Sequence, residues 1–344
     1  MGRVKWGMVQ HGTADRWMIT MNTLLLVAAL VAGFTALAWS ADRFVAGASA
    51  TATHFGLPTL LVGLTVIGIG TSLPEMLVSG IAALEGTPEI ALGNALGSNI
   101  ANVGLILGLT AMVTPVFMDP QLLRREFPVL MLVVVGTGLL LADAALSRAD
   151  GLLLLGGMVA VLAWMAREAR RGDAHARTLT QEIDESLPSP MPISRAIVAL
   201  IVGLAVLLGS SHLLVWSATE IARLLGVSEL VIGLSIVAVG TSLPELAAAT
   251  ASVRRGDHGL VIGNIIGSNL FNLLAVLGIA AVLAPFTANG PDLIRDYAVM
   301  TAFMLALIGA GFVVGRRGRC GRLSAALLLA GYGSYQIMLF WTGH

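Results

Sequence analysis

The hexapeptide GTSLPE, Gly70 to Glu75, returns letter for letter at Gly240 to Glu245. Around it, residues 64–115, LTVIGIGTSLPEMLVSGIAALEGTPEIALGNALGSNIANVGLILGLTAMVTP, align without a gap with residues 234–285, LSIVAVGTSLPELAAATASVRRGDHGLVIGNIIGSNLFNLLAVLGIAAVLAP, at a constant offset of 170. About 18 of the 52 positions are identical, and 13 of them fall on GTSLPE, GN, GSN, a following Asn, and Pro115 with Pro285. Two apolar hairpins that matched only because membrane helices use few residue types would share apolar letters; here the shared letters are polar. The register continues past the helices, where Arg125-Glu126-Phe127 faces Arg295-Asp296-Tyr297. A repeat of this kind is one structural unit written twice.

The unit belongs in a membrane. Of 344 residues 56% are hydrophobic and 12% charged, with 20 basic against 20 acidic, which marks an all-α polytopic membrane protein. A spanning helix needs roughly 20 mainly apolar residues. Ten segments approach that length, at about 20–53, 57–84, 88–115, 127–142, 150–166, 194–222, 227–253, 258–284, 293–314 and 321–341, numbered here helices 1 to 10. They divide the chain into a first five-helix repeat (1–166), a linker (167–193) carrying Pro188, Pro190 and Pro192, and a second repeat (194–344). Five is odd, so the second copy enters the membrane from the opposite side and the repeats are inverted. One set of connections holds 14 Lys and Arg, the other with the N-terminal tail holds six. The positive-inside rule then predicts both termini outside and the linker in the cytoplasm. Arg3, Lys5 and Arg16 in the tail are discordant. The tail resembles a signal peptide, but the counterpart at 194–222 points to a retained first helix. A single cysteine, Cys320, excludes a disulfide framework, and scattered basic residues exclude a nucleic-acid stripe. Nothing in the chain indicates a cofactor or an obligate protein partner.

GTSLPE is an unusual insertion for such helices. Pro74 and Pro244 remove a backbone donor, and Gly70 and Gly240 precede them, so helices 2 and 7 are expected to break, freeing carbonyls at 68–71 and 238–241. Irregular backbone at membrane depth is tolerated only where it is buried in protein or lines a cavity. Glu75 and Glu245 each cost about 2.5 kcal/mol or more at the bilayer centre, and no intramembrane Lys or Arg is available nearby to offset them. A cation or proton is the remaining partner. Helices 3 and 8, also expected to be broken around the site, carry GNALGSNIAN (93–102) and GNIIGSNLFN (263–272). Ser98 and Asn102, like Ser268 and Asn272, lie four apart on one helix face, with Asn94 and Asn264 one turn earlier. Gly93, Gly97, Gly263 and Gly267 form a surface that permits close helix approach. Carboxylates, carbonyls, hydroxyls and amides without imidazole or thiolate suit hard cations. Two negative charges match one Ca2+, or two to three Na+ with the neutral ligands, so one site can hold either set by turns.

The paired GTSLPE and GSN motifs on inverted five-helix halves resemble the alpha-repeats of the sodium/calcium exchangers, within the cation/calcium antiporter superfamily. The short linker is similar to that of compact prokaryotic members. The resemblance implies that Glu75 and Glu245, with the carbonyls of Thr71 and Thr241, bind Ca2+. It implies that Ser72, Ser98, Ser242 and Ser268, with carbonyls near Gly68 and Ala238, bind Na+, and that Asn102 and Asn272 supply mid-site amides. In relatives the position of Asn272 can be Asp, a difference associated with K+ dependence or an extra proton site. Helices 1 and 6 are implied to slide for alternating access.

The expected activity is therefore Ca2+/Na+ antiport in the plasma (inner) membrane, with no enzymatic reaction. H+/Ca2+ exchange or K+-dependent Na+/Ca2+ exchange through the same glutamates is the nearest alternative. An intramembrane serine hydrolase needs a base beside the nucleophile and a third group to orient it, whereas His54 and His212 both lie outside the duplicated block. A passive channel is disfavoured because two buried carboxylates hold a cation too tightly for rapid release.

Overall fold

The computed structural model describes residues 11–56, 62–118, 120–171, 191–225, 238–288, 290–310 and 318–342. Most of the linker and the first half of helix 7 lie outside the described residues. Helix 1 is His11–Phe55, helix 4 Pro120–Leu140, helix 5 Arg148–Arg171, helix 6 Ile193–Leu224, helix 9 Gly290–Ile308 and helix 10 Arg322–Thr342. Helices 4 and 9 start earlier than their apolar runs, so Arg124, Arg125 and Arg295 fall inside helices rather than in connections. The polar first turns had no apolar periodicity to reveal them. Among the described residues five helices are long and apolar enough to cross a membrane, and the bent pair in helix 2 makes a sixth.

Helix 2 runs as a π-helical turn, Gly63–Ile67, then Gly68–Thr71, and resumes as Leu73–Leu84 after a bend of 46°. Helix 7 repeats the break between Ala238–Thr241 and Leu243–Arg254. Each break falls on the serine rather than on the glycine or proline: Ser72 has φ −83° and ψ 3°, Ser242 φ −88° and ψ 4°. Pro74 and Pro244 sit in the first turn of the second segment, where a missing N–H costs nothing. Gly70 faces Leu204 and Phe44, and Gly240 faces Val215, so both glycines serve packing.

Helices 3 and 8 correct a second expectation. They are not broken; each passes from α to π geometry and back, as Pro88–Ala101, Asn102–Leu107, Gly108–Val113 and as His258–Phe271, Asn272–Val276, Leu277–Leu283. The π-helical turns begin at Asn102 and Asn272, the same repeat position. π-turns are rare and concentrate at functional sites. These two helices form the centre of the molecule, with 72% and 89% of their apolar windows buried against 28% for helices 1, 5 and 6. The outer helices turn Val31, Phe34, Leu132, Leu153 and Ile201 outward, as lipid-facing surface requires.

The halves interlock. Gly267 of helix 8 approaches the backbone of Leu64, and Gly63 that of Leu260, so helix 2 lies directly on helix 8. Gly104 and Gly108 of helix 3 meet Tyr332 and Leu329 of helix 10, while Gly278 of helix 8 meets Leu155 of helix 5. Gly93 and Gly97 have no described neighbour within 4 Å of an added Cβ. Their repeat partners contact helix 2, and the equivalent part of helix 7 lies outside the described residues.

Among the described residues four two-residue strands, absent from the all-α expectation, follow the helix-ending Pro115 and Pro285 and precede helices 5 and 10. Strand β1 (Val116–Phe117) pairs antiparallel with β4 (Arg319–Cys320), and β2 (Ala145–Leu146) with β3 (Phe286–Thr287). Cys320 is buried in that first pair, where burial pushes its thiol up to about 11, consistent with a bystander.

The apolar core has two principal clusters. A large one joins helices 3, 4, 5, 8, 9 and 10. A smaller one joins helices 1 and 6 to the faces of helices 2, 7 and 8. Helices 1 and 6 pack antiparallel, Gly47 against Ala196 and Leu200, Gly203 against Phe44, and Gly33 against Leu214.

Candidate ion-binding site

Glu75 and Glu245 lie in the first turns of the segments that follow the breaks, where the exposed N–H ends of the helix favour negative charge. Both are buried, at 1% and 2% exposure. Ser72 Oγ donates to Glu245 Oε1 across the repeat interface, 3.4 Å away. Glu75 Oε2 and Glu245 Oε2 have no hydrogen-bond partner. No ion pair reaches either carboxylate among the described residues; those of Arg223 with Glu220 and of Arg295 with Asp292 and Asp296 lie elsewhere. Buried carboxylate oxygens left unpaired carry a heavy desolvation cost, and a cation offsets it.

The hydroxyls divide into two kinds. Ser40, Thr51, Ser210 and Ser217 return their protons to carbonyls three or four residues back in helices 1 and 6, so burial leaves no polar group unpaired. Ser242 Oγ and Ser268 Oγ make no such bond and are buried without a partner. Ser98 Oγ donates to Asn94 Oδ1 at 3.4 Å. The structure therefore brings Ser242, Ser268 and the glutamates forward as polar groups that the fold does not satisfy by itself.

The freed-carbonyl expectation needs one correction. Gly68 O accepts the Ser72 N–H at 3.1 Å and stays in the helical ladder, with one lone pair left. In helix 7 the corresponding Ser242 N–H goes instead to Val239 O at 3.2 Å, bypassing Ala238. Gly240 O accepts Ser211 Oγ at 3.0 Å. Thr71 Oγ1 lies within hydrogen-bond distance of Ile67 O (3.0 Å) and Asn264 Oδ1 (3.2 Å), its single proton serving one of them at a time. Thr241 is buried at the equivalent place in helix 7.

Asn94 and Asn264 act as supports. Their Nδ2 groups donate to the backbone carbonyls of Glu75 (3.2 Å) and Glu245 (3.4 Å), tying each glutamate's turn to the adjacent helix. Asn94 also donates to Ser79 Oγ at 2.9 Å. Asn102 and Asn272 point at the opposite repeat: Asn102 Nδ2 donates to Asn269 Oδ1 (2.9 Å) and Asn272 Nδ2 to Asn99 Oδ1 (3.1 Å). Asn272 Oδ1 is buried and unpartnered. Asn99 and Asn269, the last letters of the two GSN triplets, had no individual role in the sequence reading. Their repetition at the common offset was the available signal.

The described residues contain no cluster of three or more His, Cys, Asp or Glu, and the polar groups gathered here are two carboxylates and neutral oxygens and amides. That combination suits a hard cation that exchanges rather than a permanently chelated metal.

These features define a polytopic helical membrane protein with a buried, oxygen-lined site shared between two copies of one motif. The chain belongs to the sodium/calcium exchanger protein family, whose profile matches residues 25–167 and again 195–341. It is 44% identical over 318 residues to the candidate antiporter CaxA of Alkalimonas amylolytica, covering 92% of this chain and 99% of the relative. The inner membrane protein YrbG of Escherichia coli is 40% identical, covering 92% of this chain and 98% of the relative. Among solved structures, the sodium-calcium exchanger NCX_Mj soaked with 100 mM Na+ and 10 mM Sr2+ superposes with a TM-score of 0.77 at 32% identity, covering 92% of this chain and 98% of that one. The family is one of transporters rather than of enzymes.

Proposed function

We propose that the chain is a secondary antiporter exchanging Ca2+ for Na+ across the inner membrane by alternating access around Glu75 and Glu245. The observation that carries this reading is the pair of buried glutamates, each at a helix break in one copy of the repeat, each with an unpaired carboxylate oxygen. Glu75, Glu245 and the carbonyls of Thr71 and Thr241 hold Ca2+. Ser72, Ser98, Ser242 and Ser268, with the carbonyls of Gly68 and Ala238, hold Na+, and Asn102 and Asn272 complete the middle of the site. The unpartnered hydroxyls of Ser242 and Ser268 favour Na+ over H+ as the counter-ion, because a proton bound by a carboxylate needs no further oxygen ligands.

Alternating access is assigned to helices 1 and 6. Their close backbone contact, Gly47 on Ala196 and Leu200 and Gly203 on Phe44, supports treating the pair as one body that moves against the rest. The test of coupling is radiolabelled Ca2+ uptake into proteoliposomes with Na+, K+ and H+ gradients imposed one at a time. Uptake driven by the Na+ gradient alone is expected; uptake driven only by the pH gradient would replace Na+ with H+ in this account.

The inverted ten-helix arrangement, with termini outside and linker cytoplasmic, draws support from the strand pairs. The connection after helix 3 pairs with the one before helix 10, and the connection after helix 8 with the one before helix 5. In a parallel duplication, with each repeat crossing in the same direction, these partners would lie on opposite sides of the membrane. Glu85 and Arg255 occupy the same position in the two repeats, so inversion puts them on opposite faces. In a Cys320→Ser background, a membrane-impermeant maleimide added to intact cells is expected to label Glu85→Cys and spare Arg255→Cys. Equal labelling of both would contradict inversion.

A further inference from the structure

Four buried asparagines meet where helices 3 and 8 cross, Asn99 and Asn269 at 0% exposure, Asn272 at 1% and Asn102 at 2%. They are linked crosswise between the repeats, and the two kinds of position are not equivalent. Asn99 uses all of its side-chain groups in the fold: Oδ1 accepts from Asn272, and Nδ2 donates to Asn269 O at 3.4 Å and Met300 Sδ at 3.5 Å. Asn269 is engaged in the same way, with Oδ1 accepting from Asn102 and Nδ2 donating to Met304 Sδ at 3.4 Å. Met300 and Met304 lie one turn apart on helix 9, so one helix anchors both amides.

Asn102 and Asn272 are engaged through their NH2 groups, and neither bond uses their carbonyl oxygens. A terminal amide can turn over, exchanging its acceptor for its donors. Turned one way, it presents a partial negative charge to a cation; turned the other, it presents two N–H groups that repel one. From this we infer that Asn99 and Asn269 are positioning residues. Each clamps the NH2 of the opposite repeat's mid-site asparagine and thereby holds the carbonyl oxygens of Asn272 and Asn102 in the orientation that binds cation. This inference rests on the reading of Glu75 and Glu245 as the Ca2+ site, and it assigns the control of ligand orientation to residues that do not touch the ion.

The clamp spans the two repeats at the residues where the π-helical turns begin. The amide that serves the second repeat is therefore held by the first, and the reverse, so the mid-site ligands of both repeats are oriented together.

The test is a double-mutant cycle on Ca2+ affinity, measured by radiolabelled Ca2+ binding to purified full-length protein and by the Ca2+ KM of exchange. Residues that act through one another give non-additive effects, while independent ones add. Asn99→Leu and Asn272→Ala are each expected to weaken Ca2+ binding about tenfold. Asn99→Leu in the Asn272→Ala background is expected to change it less than twofold. Asn99→Asp, which still accepts from the Asn272 NH2, is expected to keep Ca2+ binding that Asn99→Leu loses. The cycle Asn269→Leu with Asn102→Ala supplies a second reading if one of these proteins does not fold. Additive losses in both cycles, or equal losses in Asn99→Asp and Asn99→Leu, would overturn the positioning role and leave the Ca2+ site intact. Absence of Ca2+ binding by the unsubstituted protein would overturn the site reading and this inference with it.

Discussion

Glu75→Gln and Glu245→Gln are each expected to abolish Na+-driven Ca2+ flux, by about two orders of magnitude or more. Among the described residues the two carboxylates are the charges placed at the helix breaks, and both are nearly fully buried with one oxygen each unpaired. Neutralising one removes half the charge facing a divalent ion in a medium that screens poorly. Losses of about 3 kcal/mol for breaking a buried charge pair correspond to roughly a hundredfold in affinity. The change is close to isosteric, so the loss is one of ligand strength rather than of shape. A buried charge without its ion destabilises the fold, so the ion-free variants are expected to melt at the same temperature as the parent or higher. The stability gained on adding Ca2+ should disappear. Normal flux in both variants would remove these residues from the site.

The second large effect is structural. A Cβ at Gly267 would sit 2.4 Å from Leu64 O and 2.9 Å from Leu64 Cα, so helix 2 rests on helix 8 backbone to backbone. A backbone cannot swing aside as the tip of a side chain can. Gly267→Val must separate the two helices that carry Glu75 and Ser268, and overpacking of this kind costs about 1–3 kcal/mol or more. The expected result is loss of monodisperse protein, or a melting temperature lowered by many degrees with no Ca2+ binding. Gly136 in helix 4 is the control, with nothing within 4 Å of its added Cβ. There Gly136→Ala should leave stability unchanged or raise it, by up to about 1 kcal/mol from helix propensity. A Gly267→Val protein as stable and active as the parent would contradict the tight contact.

What the chain displayed in its letters was the set of residues that had to be polar in an apolar setting. Glu75, Glu245, the serines and the GSN triplets stand out because hydrophobicity cannot explain their recurrence at one offset, and the fold brings most of them to one locus. The positions of the helix breaks were less legible. Proline and glycine marked the neighbourhood, yet the chain bends at Ser72 and Ser242, because proline is accommodated in the first turn of the next segment. The π-helical turns at Asn102 and Asn272 left no signal, since a π-turn changes hydrogen-bond register without changing composition. The crossed amides were half visible: Asn99 and Asn269 repeated, but their partners lie 173 and 167 residues away. The methionine acceptors on helix 9 break the repeat, with Leu130 and Val134 at the matching places in helix 4. Such contacts are set by tertiary packing and have no local pattern to read.

The two halves of the duplication are joined to each other through their repeated polar residues. Ser72 of the first copy reaches Glu245 of the second, Thr71 reaches Asn264, and Asn272 reaches Asn99. Each copy thereby contributes polar groups to one buried, hydrogen-bonded cluster.

The most direct measurement of the central claim is radiolabelled Ca2+ uptake by proteoliposomes loaded with Na+ and diluted into Na+-free medium. Uptake is expected to rise with the outward Na+ gradient and to collapse when Na+ is equal on both sides. In vesicles loaded with unlabelled Ca2+ and no Na+, Ca2+ for Ca2+ exchange should persist, because the same site carries either ion. Uptake that proceeds at the same rate with no counter-ion inside would contradict exchange at a shared site.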